Sequence, residues 1–450
     1  MMARPRKNAA ASRASLLPES APLPEIPVRE QPYPLPEGWK WVRLGDCNHY
    51  AGETINPALF QEDIFELYSV PSCITGYPEI LSGKEIGSSK QSVEPGDVLL
   101  CKINPRINRV WRVVGYTANR LAASSEWIVF RNKDISSKYM MLCMQSAYFR
   151  EYMLSNVSGV GGSLMRAQPK HVRRYPIPLP PREEQERIVG HIESLFARLD
   201  EARQKAEAVR DSVALRRAAI LHKAFTGELT AKWREEQGVE CWPLTTLHKV
   251  SSLITKGASP KWQGISYVED ETQTLFVTSE NVREGYLKFE NKKFVEDSIN
   301  IKQKRSCLKY GDILINIVGA SIGRAAVYQE KYKANINQAV CLVRLYENIS
   351  SSYVCYYLNS PAALTYYFEN KAETARANLS LTDINNITLP LPTLPEQREI
   401  VRILDDLLGR EQRIREAADA VVAHIERMKK AILARAFRGE LGRADCPSRP

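Results

Sequence analysis

Two sets of polar and basic residues recur at matched places in this chain. One set follows the Gly-Asp steps at residues 96–97 and 311–312, and the other precedes the Pro-Leu-Pro segments at 178–180 and 390–392. Arginine can hold guanine with two hydrogen bonds, and asparagine or glutamine can hold adenine in the same way. For any single residue, a loop hydrogen bond or a phosphate contact is an equally good interpretation. The candidate DNA-binding residues are Lys102, Asn104, Arg106, Asn108, Arg109, Ser163, Arg166, Gln168, Asn316, Ser321, Arg324, Arg376 and Asn378.

The distribution of charge also favours a polyanionic partner. The net charge is +10, and two stretches, residues 98–125 and 298–311, contain basic residues and no acid. Protein surfaces normally mix both signs of charge, so such stretches are typical of a surface that faces phosphates. A solvated basic loop without a partner is the alternative. The basic residues are Lys102, Arg106, Arg109, Arg112 and Arg120 in the first stretch, and Lys302, Lys304, Arg305 and Lys309 in the second.

The sequence contains no recognisable set of catalytic residues. It has no phosphate-binding or dinucleotide-binding glycine motif, and the Gly-rich residues 159–163 match neither. Asn104-Pro105-Arg106 begins like the Asn-Pro-Pro-aromatic step of amino-methyltransferases but lacks the second proline and the aromatic residue. The nine cysteines and six histidines lack the spacing of a metal site. We therefore predict a binding protein, not an enzyme, with no catalytic residue and no metal site.

A long internal repeat sets the architecture. Residues 178–229 align without a gap on residues 390–441. Apolar residues recur within each copy at alternating steps of four and three, which is typical of a coiled-coil seam. We predict two helices of about 40 residues each, packed antiparallel about a pseudo-two-fold axis; two separate helices, each lying on its own domain, are the alternative. Arg216 and Glu411 interrupt a seam that includes Ala202, Val209, Ile414, Val421 and Met428.

The regions ahead of the two helices diverge but share a skeleton. Trp39 and Trp242 open them, and each contains a Gly-Asp turn that leads into an apolar strand. We predict an α/β (α+β) protein in which two similar mixed domains alternate with the two helices. The predicted segments are a Pro-rich flexible tail (1–34), a first domain (35–181), a central long helix (182–235), a second domain (236–394), a distal long helix (395–441) and a C-terminal tail (442–450).

This arrangement has a functional logic. Two related domains with different loops, held at a fixed distance, would read two different short sequences on one duplex, so the DNA site should be asymmetric. The N-terminus lacks the apolar core of a signal peptide, and no apolar run is long enough to cross a membrane. We therefore expect a cytoplasmic location.

With these features the chain resembles the DNA specificity subunits of type I restriction–modification systems. The resemblance extends over nearly the whole chain from about residue 31. Residues 101–106 replace the Gly-rich strand-turn of the family. The motifs that carry the resemblance lie at residues 35–46, 178–189, 223–238, 242–250, 311–327 and 394–401.

The resemblance implies a non-catalytic subunit in which each target recognition domain reads one half of a bipartite DNA site. The helix pair would set the spacer between the halves and dock two methyltransferase subunits, and restriction/translocase subunits would complete the complex. This chain would bind no cofactor, whereas its partners would use S-adenosylmethionine, ATP and Mg. A self-contained DNA methyltransferase or nuclease, and a non-specific DNA-binding coiled-coil scaffold, are the alternatives.

Overall fold

The computed structural model describes residues 23–155, 157–158, 165–239, 242–370 and 378–441. The chain divides into two compact units, one formed by Met1–Gln204 with Val421–Pro450 and the other by Lys205–Ala420. Each long helix contributes one part to each unit. The candidate residues Ser163 and Arg376 and the predicted tail 442–450 lie outside the described residues. Within the described ranges, no helix is long and apolar enough to cross a membrane.

The first unit contains the first mixed domain. Its helices are α1 (Ser137–Gln145), α2 (Ala147–Ser155) and α3 (Pro169–Val172). Its strands are β1 (Lys40–Arg43), β2 (Thr54–Ile55), β3 (Ile64–Tyr68), β4 (Glu79–Ser82), β5 (Lys90–Ser92), β6 (Val98–Cys101), β7 (Val110–Arg112), β8 (Arg120–Ala123), β9 (Trp127–Phe130), β10 (Val157–Ser158), β11 (Arg166–Ala167) and β12 (Pro176–Leu179). The sheet orders are β2-β5-β8-β3-β4 and β7-β6-β9, with the pairs β1-β12 and β10-β11.

The second unit contains the second mixed domain. Its helices are α5 (Ala231–Gln237), α6 (Ile299–Lys302), α7 (Ser351–Leu358), α8 (Pro361–Asn370) and α9 (Leu381–Asn385). Its strands are β13 (Leu244–Thr246), β14 (Ser251–Lys256), β15 (Tyr267–Val268), β16 (Thr274–Val277), β17 (Phe294–Val295), β18 (Ile313–Asn316), β19 (Ala325–Val327), β20 (Ala334–Ile336), β21 (Val340–Leu345) and β22 (Thr388–Pro390). The sheet orders are β14-β21-β18-β19 and β15-β17-β16-β20, with the pair β13-β22.

Both domains contain the expected Gly-Asp turn, and the aspartate is held by an arginine. Asp97 is 1% exposed and accepts hydrogen bonds from Nε and Nη2 of Arg131 at 2.8 and 2.7 Å. Asp312 is 2% exposed and accepts the same two bonds from Arg344 at 2.8 and 2.7 Å. A buried carboxylate needs an ion pair or hydrogen bonds to be stable, so these bonds fix each turn to its arginine.

Removing one partner of this ion pair should destabilise the second domain. Asp312→Ala leaves the guanidinium of Arg344 without its carboxylate, and we expect the free energy of unfolding to fall by about 3 kcal/mol. Urea denaturation followed by tryptophan fluorescence measures the change. Glu280→Ala is the matched control, because it breaks the exposed pair with Lys293 (3.1 Å) and should cost less than about 1 kcal/mol. Equal losses would contradict the structural role assigned to Asp312.

The long helices are α4 (Arg182–Phe225) and α10 (Leu394–Phe437), with 44 residues each, or about 66 Å at 1.5 Å per residue. Glycines with positive φ follow both, Gly227 at 84° and Gly439 at 71°, as is typical of a helix C-terminus. The central helix therefore ends at Phe225, ten residues before the predicted boundary at 235. The separate helix α5 covers part of the difference.

Ion pairs show how the two helices run in each unit. Within each unit, the α4 residue with the higher number pairs with the α10 residue with the lower number. The helices are therefore antiparallel, as predicted. The pairs are Asp200–Lys429 (2.5 Å) and Arg203–Glu426 (2.7 Å) in the first unit, and Arg210–Asp419 (3.9 Å) and Arg216–Glu411 (2.9 Å) in the second. Arg216 and Glu411, which interrupt the predicted seam, are thus partners of each other.

The predicted apolar seam is only partly buried. Val209, Ile414, Val421 and Met428 are 38–45% exposed, and Ala202 is also exposed. Val213, Ala418 and Ile425 of the seam are buried, so ion pairs add to a seam that two helices cover only in part. The buried apolar residues of the helices lie mainly where a domain packs on them: Ile188, Val189, Ile192, Leu433, Ala436 and Phe437 in the first unit, and Leu221, Ala224, Ile400, Leu404 and Leu408 in the second.

The repeat carries a Glu-Gln step at residues 184–185 and 396–397, and its glutamine anchors each domain on a helix. Gln185 is 2% exposed, and its Oε1 accepts a hydrogen bond from the N–H of Ser136 at 2.9 Å. Gln397 is 1% exposed and accepts from the N–H of Ser350 at 2.8 Å. A buried amide must be hydrogen-bonded. The contact with the serine N–H therefore accounts for glutamine in both copies of the repeat, and for the matching Ser-Ser steps after Ile135 and Ile349.

Part of the segment predicted as a flexible tail packs on the first domain. Ile26 is 4% exposed, and its N–H donates to the carbonyl of Trp41 at 2.9 Å. The hydroxyl of Tyr33 donates to the carbonyl of Phe437 at 3.0 Å. Ile26 and Tyr33 therefore hold residues 23–34 against the packed first unit.

Candidate nucleic-acid interface

Several loops of the first domain lie together at one end of its strands. Cys101, the last residue of β6, lies opposite Trp127, the first residue of β9. The indole N–H of Trp127 donates to the carbonyl of Tyr68, the last residue of β3, at 2.9 Å. The loop that follows β3 in the five-stranded sheet therefore meets the loops that follow β6 and precede β9 in the three-stranded sheet.

At this end of the strands, the residues that follow the Gly-Asp strand meet the residues that precede the Pro-Leu-Pro segment. Ile103 forms a β-bridge with Arg166, and the N–H of Asn104 donates to the carbonyl of Met165 at 2.9 Å. The same arrangement occurs in the second domain, where Val318 forms a β-bridge with Asn378. Residues that lie about 60 positions apart in the sequence therefore form one surface in each domain.

The loops after β6 and β18 have left-handed residues and a closing hydrogen bond at matching places despite different sequences. Asn104 and Asn108 have φ of 45° and 52°, and Gly319 and Gly323 have φ of 80° and 85° at the matching places. The N–H of Cys101 donates to the carbonyl of Arg109 (3.0 Å), as the N–H of Asn316 does to Arg324 (2.9 Å). Asparagine tolerates the left-handed region better than other non-glycine residues. The first domain thus replaces the glycines without changing the turn.

These glycines give a prediction with an internal control. A Cβ on Gly323 would lie 2.5 Å from the buried ring of Tyr367, whereas a Cβ on Gly319 meets nothing within 4 Å. Both substitutions impose a left-handed alanine, but only Gly323→Ala adds a clash. We expect losses of about 1 kcal/mol for Gly319→Ala and about 2–4 kcal/mol for Gly323→Ala in urea denaturation. Equal losses would show that the loop does not pack as described.

Asn316 corrects one sequence prediction. It is 0% exposed, and its Nδ2 donates to the carbonyl of Ser279 at 3.0 Å and to Oγ of Ser321 at 3.1 Å. Its side chain therefore joins two loops of the second domain and does not face solvent. Asn316 is the last residue of a four-residue strand that is buried throughout. Because this strand does not alternate between buried and exposed positions, the sequence pattern did not indicate that Asn316 is buried.

Asn108 also has an internal partner, since its Nδ2 donates to the carbonyl of Met144 at 3.1 Å. Sequence reasoning missed Glu126, whose carboxylate lies 2.9 Å from Nη1 of Arg166. The two residues are 40 positions apart and belong to no common motif, so only the fold reveals the pair. Arg120, from the first basic stretch, is likewise paired with Asp63 at 3.0 Å.

The remaining described candidates differ in exposure. Arg106, Arg324 and Asn378 are exposed, whereas Lys102, Asn104, Arg109, Gln168 and Ser321 are half-buried. Each domain therefore presents at least one exposed arginine on a loop whose backbone is fixed by hydrogen bonds. Such a guanidinium can hold a guanine edge or a phosphate.

Known proteins have a similar sequence. The family model of the type I restriction modification DNA specificity domain matches residues 36–209 and 263–419. The chain belongs to this family. The type I restriction enzyme EcoBI specificity subunit of Escherichia coli is 29% identical over 278 residues, which are 59% of this chain and 58% of that relative. The alignment thus spans less than two thirds of that relative.

Solved structures show the same fold. A chain from work on complex assembly and conformational transition of the type I R-M system has a TM-score of 0.75 at 22% identity, covering 91% of this chain and 100% of that one. The HsdS subunit from Thermoanaerobacter tengcongensis has a TM-score of 0.58 at 22% identity, covering 91% and 99%. The predicted family and the predicted fold class are confirmed.

Proposed function

We propose that this chain is the DNA specificity subunit of a type I restriction–modification complex. The observation that carries the proposal is the matched loop of the two domains: its left-handed residues and closing hydrogen bond agree, but most of its side chains differ. Each domain would then approach DNA in the same way and read different bases. The DNA site is therefore bipartite and asymmetric, with one half for each domain.

The proposed protein partners are two methyltransferase subunits and the restriction/translocase subunits. The helix pair is the proposed docking surface for the methyltransferase subunits. Val209, Leu215 and Ile414 in the second unit, and Val421 and Met428 in the first, are between 38% and 76% exposed. Apolar side chains exposed along a helix are typical of a surface that another protein covers.

In this proposal the chain itself performs no chemistry and binds no cofactor. The partner subunits supply S-adenosylmethionine-dependent methylation and the ATP- and Mg-dependent steps. The location is the cytoplasm, where the host genome is accessible. The family membership and the specificity-subunit names of the relatives support this division of labour.

Binding of defined duplexes by the chain assembled with its methyltransferase subunits tests the proposal. At one fixed salt concentration, we expect the cognate duplex to bind about 10³-fold or more tightly than a scrambled duplex. Equal affinities would favour the non-specific scaffold instead. Methyl transfer by the purified chain alone would favour a self-contained methyltransferase.

A further inference from the structure

One loop of the second domain leaves the sheet beside the proposed DNA-binding loop and contains none of the candidate residues. Lys256, the last residue of β14, lies opposite Cys341 in β21, and the adjoining Val340 lies opposite Asn316. The residues after Lys256 therefore emerge beside the loop at 317–324. Gly257 packs there so closely that a Cβ would lie 1.8 Å from the carbonyl oxygen of Ile336, so the start of this loop is fixed.

The loop ends in a rigid turn that presents an exposed tryptophan. The N–H groups of Gln263 and Ile265 both donate to the carbonyl of Pro260, at 2.9 and 3.0 Å. Ile265 is 5% exposed and belongs to a buried apolar cluster. Trp262, between these fixed points, is 79% exposed. The turn therefore holds a large aromatic side chain in solvent without the cost of ordering a flexible loop on binding.

A second basic segment lies against this turn. Nζ of Lys302 donates to the carbonyl of Gln263 at 2.5 Å. Residues 251–268 and 298–311 contain no acid, and this contact brings the two acid-free segments together. Glu296 is an acidic residue at the border of these segments, because its N–H donates to the carbonyl of Ser266 at 3.3 Å. The exposed cations of the two segments are Lys256, Lys261, Lys302, Lys304, Arg305 and Lys309.

We propose that residues 256–264 and 299–305 form a DNA-contacting arm of the second domain. Its lysines and arginine bind phosphates of the duplex, and the indole of Trp262 packs against sugars and base edges in the half-site that this domain reads. The inference rests on the proposed function. Its physical basis is charge complementarity to a polyanion, together with an apolar side chain of the kind that DNA-binding proteins place against base edges or between base steps.

Duplex binding by the full chain with its methyltransferase subunits tests the role of Trp262. Trp262→Ala is expected to weaken binding of the cognate duplex about tenfold, equivalent to about 1.4 kcal/mol. Discrimination should shrink at the same half-site that Arg324→Ala affects and stay unchanged at the other. Trp262→Phe should retain most of the affinity. Tyr346→Ala is the matched control, because Tyr346 is 51% exposed and follows the end of β21 that lies away from Val340.

Salt dependence tests the basic part of the arm. Each phosphate contact contributes about 0.9 to the slope of log K against log salt. The double variant Lys261→Gln/Lys304→Gln should therefore reduce the slope by roughly 1.8, with a similar loss on cognate and scrambled duplexes. Lys232→Gln, at an 89% exposed side chain on α5, should leave the slope unchanged.

The results separate the arm from the proposed function. If the wild-type complex binds cognate and scrambled duplexes equally, the proposed function fails. If the wild type discriminates but Trp262→Ala binds like wild type, or loses affinity equally for every duplex, the contact of Trp262 with the half-site is overturned. An unchanged salt slope in the double lysine variant overturns the phosphate contacts.

Discussion

Arg324→Ala is expected to reduce sequence discrimination at one half of the DNA site by roughly 5- to 150-fold and to leave the other half unaffected. This range corresponds to about 1–3 kcal/mol for the loss of a two-bond contact with a base. Arg324 is exposed, and its carbonyl accepts the N–H of Asn316 at 2.9 Å, so its backbone is held at the sheet edge. Titration of fluorescent duplexes with single base changes in each half measures the effect.

The first domain supplies the matched variant. Arg106→Ala removes an exposed arginine from the equivalent loop, so we expect the complementary loss, confined to the other half of the site. Asn316→Ala is a control of a different kind, because its side chain is buried and should affect folding more than base preference. If Arg324→Ala and Arg106→Ala weakened discrimination at the same half, the assignment of one half to each domain would be wrong.

Adding one heptad to each long helix is expected to lengthen the spacer between the half-sites by about three base pairs. Seven helical residues extend a helix by about 10 Å, and one base pair rises about 3.4 Å along DNA. Insertions after Ala202 and after Arg427 keep the antiparallel register, because Arg203 pairs with Glu426 and Asp200 with Lys429. The bases recognised in each half should stay the same.

Duplex libraries with spacers of different length give the measurement. The preferred spacer should shift while the half-site sequences persist. A heptad in only one helix is the control, since it moves the ion pairs out of register and should lower stability without producing a new preferred spacer. A change in the half-site bases would contradict the role of the helix pair as a spacer.

Much of the fold could be predicted from the sequence because periodicity and matched turns are local signals. The helix starts follow from the prolines before them, and the Gly-Asp turns follow from the apolar strands after them. Gly227 marks the end of the central helix, which the predicted boundary at 235 placed ten residues too late. The extent of seam burial could not be predicted. Spacing alone places Val209 and Met428 in the seam, but how far two helices cover their seam depends on the layers around them.

The candidate site was harder to predict because it depends on contacts between distant residues. That the two polar clusters form one surface follows only from the bridges of Ile103 with Arg166 and of Val318 with Asn378. The left-handed Asn104 and Asn108 explain why residues 101–106 depart from a Gly-rich pattern yet form the same turn. The burial of Asn316 and the pairing of Arg166 with Glu126 have no signal in the local sequence.

Genome-wide mapping of methylated bases, in a host with and without this chain, tests the central claim most directly. The methylation that depends on the chain should mark two different short sequences separated by a fixed run of unspecified bases, because the matched loops of the two domains carry different side chains. A palindromic motif, or one continuous short motif, would contradict the account.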